Sequence, residues 1–172
     1  MVISDVQFLK TLPKRELICG YGEILKHSLI ANNSFYKFMD KNSDKILKLS
    51  SPFIEKAIYE RCKVKKDIVE KDETEKNLRK ILNFGHTFAH AFEVETKFKL
   101  KHGQAVIVGI ASALFLSNKL GLMNKTKLDE LLELILLFKN DIKVGKINLE
   151  NAISVMKRDK KNRDGKINFV LL

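Results

Sequence analysis

Apolar residues recur along most of this chain at helical spacing. Between residues 16 and 30, Leu17, Ile18, Tyr21, Ile24, Leu25 and Leu29 follow an i, i+3, i+4 rhythm, which predicts a half-buried helix. Ser51-Pro52 reads as an N-cap followed by proline in the first helical position, opening a helix through Ile54, Ala57 and Ile58 to about Ile68. The mixed-charge stretch 70–76 is its solvated end or a connection. From about Lys76, the residues Leu78, Ile81, Leu82, Phe84, Phe88, Phe92 and Val94 predict one further helix. Residues 103–118 form another, small and apolar enough to be central. Asn124 or Thr126 caps a helix over 127–140 with Leu128, Leu131, Leu132, Ile135 and Phe138 on its buried face, and 148–157 is a shorter candidate.

The end of the chain changes period. Asp164-Gly165 is a turn signal, and residues 166–172 alternate before becoming fully apolar, which predicts a short strand or hairpin. No other segment offers it an obvious partner. The predicted fold class is therefore mainly α, a single multihelical domain over 1–172 with a short C-terminal β strand or hairpin.

Composition bounds the rest. At 172 residues, 45% hydrophobic and 31% charged, the chain suits a soluble globular domain that buries roughly 70% of its unfolded surface. The longest apolar stretch, 105–116, is interrupted by Gly109 and Ser112 and is too short to span a bilayer. No secretory signal opens the chain, and Cys19 and Cys62 make no CxxC motif, so a reducing cytoplasm is expected and membrane attachment is not. The net charge of +11 comes overwhelmingly from lysine, with arginine only at 15, 61, 79, 158 and 163. Nucleic-acid readers lean on arginine forks and stacking aromatics, so no nucleic-acid partner is expected; a positive field favours small anionic metabolites instead.

Histidine is scarce, with four in the chain, yet His86, His90 and His102 lie close together in sequence. Helical spacing puts His86 and His90 on one face, and a neighbouring helix could deliver His102. Zinc in a catalytic site takes three protein ligands and leaves a position open. His86 and His102 are candidates for two, and Glu23, a carboxylate in an otherwise apolar helix one turn before Lys26, is the best third. His90 would then stand one turn from a ligand, within reach for proton transfer. The competing reading makes His86 and His90 hydrogen-bonded core residues and Glu23 a solvent-facing carboxylate.

Several motifs carry a resemblance that bears on this choice. Glu16-Leu17-Ile18-Cys19-Gly20-Tyr21-Gly22-Glu23-Ile24-Leu25-Lys26 comes first, followed by Lys65 with Ile68-Val69 and Asp72-Glu73-Thr74-Glu75. Arg79 with Leu82-Asn83-Phe84-Gly85-His86-Thr87, His90-Ala91, His102-Gly103 and Asp159-Lys160-Lys161 complete the series. In order and interval this series resembles 3-dehydroquinate synthase, over essentially the whole chain but only for that family's helical, metal- and substrate-binding C-terminal domain.

The resemblance implies that Glu23, His86 and His102 are ligands of zinc or another divalent metal such as cobalt. It implies that Lys26 and His90 serve in proton transfer, and that Lys65, Arg79, Asn83 and the pair Lys160 and Lys161 hold substrate. The implied reaction converts 3-deoxy-arabino-heptulosonate 7-phosphate to 3-dehydroquinate and phosphate in the shikimate pathway, with NAD oxidising and then re-reducing the substrate. A homodimer is also implied.

The family's nucleotide-binding α/β domain should precede Val2, and the eight glycines include no G-x-G-x-x-G at a strand-to-helix turn. NAD is thus expected only through a separate domain, and the chain alone is expected to be inactive. Gly20 and Gly22 fall inside a helix and are read as packing glycines. Gln104 stands where the family usually has glutamate after His-Gly, an expected weakening of the support around His102. Two other readings stay open: half of a related sugar-phosphate cyclase or polyol-phosphate dehydrogenase, and a noncatalytic helical module for metal binding or oligomerisation.

Overall fold

The structure is a computed structural model, and it describes residues 3–158 and 166–172. Its core is a pair of helix contacts. Helix α1 (Lys14–Ala31) and helix α4 (His86–Glu95) both pack against α5 (His102–Lys119), whose Ala105, Val106, Ile107, Ile110, Ala113 and Leu114 are almost completely buried. Around this seam lie α2 (Asn33–Leu47), α3 (Phe53–Lys71), α6 (Lys125–Leu136) and α7 (Leu149–Lys157). Short 3-10 helices span Val6–Thr11 and Leu78–Asn83. No helix among the described residues is long and apolar enough to cross a membrane.

Glycine makes the seam possible by letting backbones touch. A Cβ on Gly22 of α1 would lie 2.6 Å from the Gly103 carbonyl oxygen of α5, and one on Gly103 would collide with the backbone of Cys19. On the other side, a Cβ on Gly109 would strike the Gly85 carbonyl and the Ala89 amide. Gly85 itself adopts φ +78°, a conformation costly for a side-chain-bearing residue. Gly22 is thus the packing glycine predicted, whereas Gly20 has open space beside it.

The predicted helices are present with three corrections. The helix expected from Lys76 to Val94 is broken: residues 78–83 form a 3-10 helix, Gly85 turns the chain, and α4 starts afresh at His86. Pro52 is itself the N-cap of α3, which begins at Phe53, so it does not occupy the first helical position. Helix α2, which the pattern missed, is capped by the Asn32 side chain accepting from the Phe35 amide. Asn124, rather than Thr126, caps α6 by accepting from the Lys127 amide.

The strand prediction fails. Residues 166–172 form no helix or strand apart from one isolated bridge position at Lys166, and no β-sheet or hairpin occurs among the described residues. The tail is covered by helices instead. Phe169 stacks on Phe88 with ring centroids 5.0 Å apart, the Thr87 hydroxyl donates to the Asn168 carbonyl at 3.3 Å, and the Leu172 amide donates to Ser117 Oγ at 3.2 Å. Alternating burial against helices produces the same sequence period as a half-buried strand.

Candidate metal centre

Each of the three helices in the seam delivers one metal-ligating side chain. Glu23 comes from the middle of α1, while His86 and His102 are the first residues of α4 and α5. The close backbone approaches at Gly22, Gly103, Gly85 and Gly109 bring these positions together. Glu23 Oε1 lies 3.8 Å from His86 Nε2 and 3.7 Å from His102 Nε2, and all three donor atoms fall within 4.8 Å of one another. Ligand atoms of a tetrahedral zinc are separated by about 3.3–3.6 Å, so a modest contraction converts this cluster into a coordination set.

The hydrogen bonds aim the donor atoms inward. Glu23 Oε2 takes the Lys26 ammonium at 2.9 Å, leaving Oε1 buried and without a hydrogen-bond partner among the described residues. His86 Nδ1 faces the Phe84 carbonyl at 3.3 Å, and His102 Nδ1 faces Glu93 Oε1 at 3.1 Å. Both partners only accept, so the network assigns the proton to Nδ1 in each ring and leaves both Nε2 lone pairs at the centre. An orphaned carboxylate oxygen facing two bare imidazole nitrogens is a donor set that fits a divalent cation.

Burial sets the charges. It pushes the His86 pKa down to about 4, with the Lys26 charge adding to the effect, so this ring is neutral near pH 7. Lys26 is lowered from the usual lysine value by burial against the pull of Glu23. Burial would raise Glu23, but the charge and hydrogen bond of Lys26 outweigh it and leave the carboxyl below its ordinary value.

A cleft of about 280 Å³ opens over this cluster, lined by Glu23, Lys26, His27, Lys65, Glu75, Arg79, Leu82, Asn83, His86 and His102. Seven of the side chains singled out in the sequence therefore share one cavity. His90 flanks it, its ring centroid 5.6 Å from that of His86 and 6.4 Å from that of His102. Lys160 and Lys161 lie outside the described residues.

Sequence reasoning gave no role to Asp72, Glu73 or Glu75, which build the rim. Asp72 ends α3 and accepts the amides of Lys76, Asn77 and Arg79 at 2.8–2.9 Å, and these bonds, that from Arg79 foremost, lower its pKa. Arg79 Nη1 donates to the Glu73 carbonyl at 2.6 Å, and Asn83 Nδ2 donates to Glu75 Oε1 at 2.7 Å. An acidic cluster just after a helix signals such a loop. His27 was also overlooked: it is buried, its Nδ1 donates to the Glu23 carbonyl at 2.6 Å, and its Nε2 has no partner among the described residues. Gln104 Oε1 accepts from Arg15 Nε at 3.0 Å and from the Lys101 amide at 3.3 Å, which ties α1 to the start of α5.

Residues 20–162 match the family described as 3-dehydroquinate synthase C-terminal. The chain belongs to the 3-dehydroquinate synthase family. Among curated 3-dehydroquinate synthases, that of Pelagibacter ubique is 50% identical over 100% of this chain and 48% of its own length. That of Dictyoglomus turgidum is 42% identical over 99% of this chain and again 48% of its own. The chain spans about half the length of these relatives and corresponds to their C-terminal half. A solved 2-epi-5-epi-valiolone synthase from Streptomyces hygroscopicus, with NAD+ and Zn2+ bound, superposes with a TM-score of 0.82. It is 22% identical and covers 97% of this chain and 47% of its own, a likeness of fold. The helical architecture is thus what the family resemblance led one to expect, and Glu23, His86 and His102 form a group that could hold a metal ion.

Proposed function

We propose that residues 1–172 form one domain, the metal- and substrate-binding half of a 3-dehydroquinate synthase. It would act on 3-deoxy-arabino-heptulosonate 7-phosphate in the cytoplasm together with a nucleotide-binding half that holds NAD. The observation that carries the reading is the meeting of Glu23 Oε1, His86 Nε2 and His102 Nε2 beneath a cleft that Lys26, Lys65, Arg79 and Asn83 also line. Family membership supports this reaction over the others the fold could serve.

A zinc or cobalt ion held by Glu23, His86 and His102 would supply Lewis acidity toward the substrate hydroxyls. The residues do the remaining work. Arg79 and Lys65 meet the anionic carboxylate and phosphate groups, Arg79 with a forked donor and Lys65 as an adjustable point charge. Asn83 orients a substrate oxygen. Lys26 keeps Glu23 ionised and, weakened as an acid-holding base by burial, gives up a proton more readily than an exposed lysine. His90, beside both metal-ligating rings, carries a proton to or from the reacting centre. Lys160 and Lys161 belong to the same substrate-holding group, and a homodimer is the proposed assembly.

Two measurements test this. Chelator competition on the chain should give tight zinc binding that His86→Ala weakens by more than the roughly 10–100-fold typical of losing an outer partner. Supplying the nucleotide-binding half of a relative, with NAD, zinc and substrate, should then release phosphate and yield 3-dehydroquinate, whereas either half alone should not. No phosphate release where an intact synthase works would count against the reading, and a different cyclitol product would redirect it to a related sugar-phosphate cyclase.

A further inference from the structure

The three donor side chains are not held equally. His86 is nearly buried, at 13% side-chain exposure, and Glu23 is anchored by Lys26, but His102 is 51% exposed and stands at the very start of α5. Histidine rotates easily about its χ2 bond, and packing does little to fix an exposed ring. What holds the ring is the Glu93 carboxylate, which reaches across from α4 to hydrogen-bond His102 Nδ1 at 3.1 Å.

Glu93 is itself well fixed. Its side chain is 14% exposed, and its carbonyl accepts the Phe98 amide at 2.7 Å and the Thr96 hydroxyl at 3.2 Å, closing the α4 terminus. The connection to α5 then runs through Leu100, buried in the core. Backbone and side chain of Glu93 therefore anchor the same α4-to-α5 connection from which His102 emerges.

We infer that Glu93 is the positioning residue of the metal centre: it holds His102 in the Nδ1-protonated form with Nε2 turned toward Glu23 and His86. The inference rests on the metal reading proposed above. A carboxylate on the far nitrogen of a ligating imidazole fixes its tautomer and orientation and raises its basicity, and loss of such a partner typically costs 10–100-fold in metal affinity. Glu93 also adds a second negative charge beside Glu23, where Lys26 supplies one positive charge. Arg15, Lys101 and Gln104 form a separate network on the other side of the α5 start.

The test is cobalt binding to the full chain, followed by visible absorption in competition with a chelator, for the parent, Glu93→Ala and Glu93→Gln. Glu93→Ala should bind cobalt roughly 10–100-fold more weakly with an altered d–d spectrum. Glu93→Gln keeps an acceptor oxygen but loses the charge and should fall in between. The metal-free melting temperature should be little changed in Glu93→Gln, so that a folding defect is read separately from a binding one. Parent-like affinity and spectrum in both variants would overturn the role while leaving the metal centre standing. Failure of the parent to bind cobalt or zinc at all would overturn the centre, and this role with it.

Discussion

The cleft has two sides built on different physical terms. Its metal side is a seam of three helices in backbone contact, with Lys26 buried, His86 partly buried and Glu23 ion-paired. Its cation side is the exposed Lys65 of α3 and a loop folded around Asp72, in which Arg79 and Asn83 are tied to Glu73 and Glu75. One side is fixed by packing that any added atom disturbs. The other is held by exposed and half-buried polar bonds, of which the exposed ones exchange with water at little cost. A metal requires donor atoms set to within a fraction of an ångström, whereas a long anionic substrate is gripped by cations that can adjust, and the two sides differ accordingly.

The largest expected effect is on the seam. In Gly109→Ala the new methyl meets the Gly85 carbonyl and the Ala89 amide, both backbone and neither able to step aside like a side-chain tip. Overpacking of this kind costs about 3 kcal/mol or more where relaxation is blocked. Urea unfolding of the metal-free chain should show that loss, and zinc affinity should fall with it as α4 and α5 separate. Stability within about 0.5 kcal/mol of the parent would mean the seam is not rigid, and the contrast drawn here would fail.

Next comes pH. Burial holds His27, 2% exposed, at a pKa of about 4, and burial with the Lys26 charge does the same for His86. The unfolded chain takes up these protons below about pH 6.5, whereas the folded chain refuses them until about pH 4. Their contribution to stability is therefore full above pH 6.5 and is lost as the pH falls toward 4, on the order of 2–3 kcal/mol for each ring. Metal-free protein should unfold at a lower urea concentration at pH 4.5 than at pH 7. His27→Gln should flatten that slope, and an unchanged slope would show that the ring is not held neutral by burial.

The same division explains how much could be read from the sequence. The candidate ligands His86 and His102 on the seam were conspicuous because helical spacing and scarce histidines mark them, and α5 differs from its predicted bounds by one residue at each end. Helix α2 was missed for a specific reason. Its buried Phe35, Tyr36 and Met39 are followed by Asn42, which occupies the next inward position, donates to the Phe38 carbonyl and sits at a kink, so the apolar stripe is interrupted before Ile46. The break at Gly85 was invisible for the opposite reason: apolar spacing runs straight through it, and only the contact with Gly109 and Ile110 requires the turn. The C-terminal tail was read as a strand because alternation records which side chains are covered and not what covers them. Asp72 and Glu75 passed as solvated charges, since loop hydrogen bonds leave no period in sequence.

The smallest structural effect should come from the cation side, and it separates the two sides most sharply. Lys65 is exposed on α3. Lys65→Ala should leave stability within about 0.5 kcal/mol of the parent, as expected of a surface substitution away from caps and buried networks. Zinc affinity should stay within about twofold, well short of the 10–100-fold lost when a metal ligand's support is removed. Phosphate release by the reconstituted halves should nevertheless drop, chiefly through a raised KM, because the group lost would contact bound substrate and not the metal-ligating side chains. A variant that instead weakened zinc binding would place Lys65 on the metal side and erase the boundary between a packed metal centre and an adjustable anion grip.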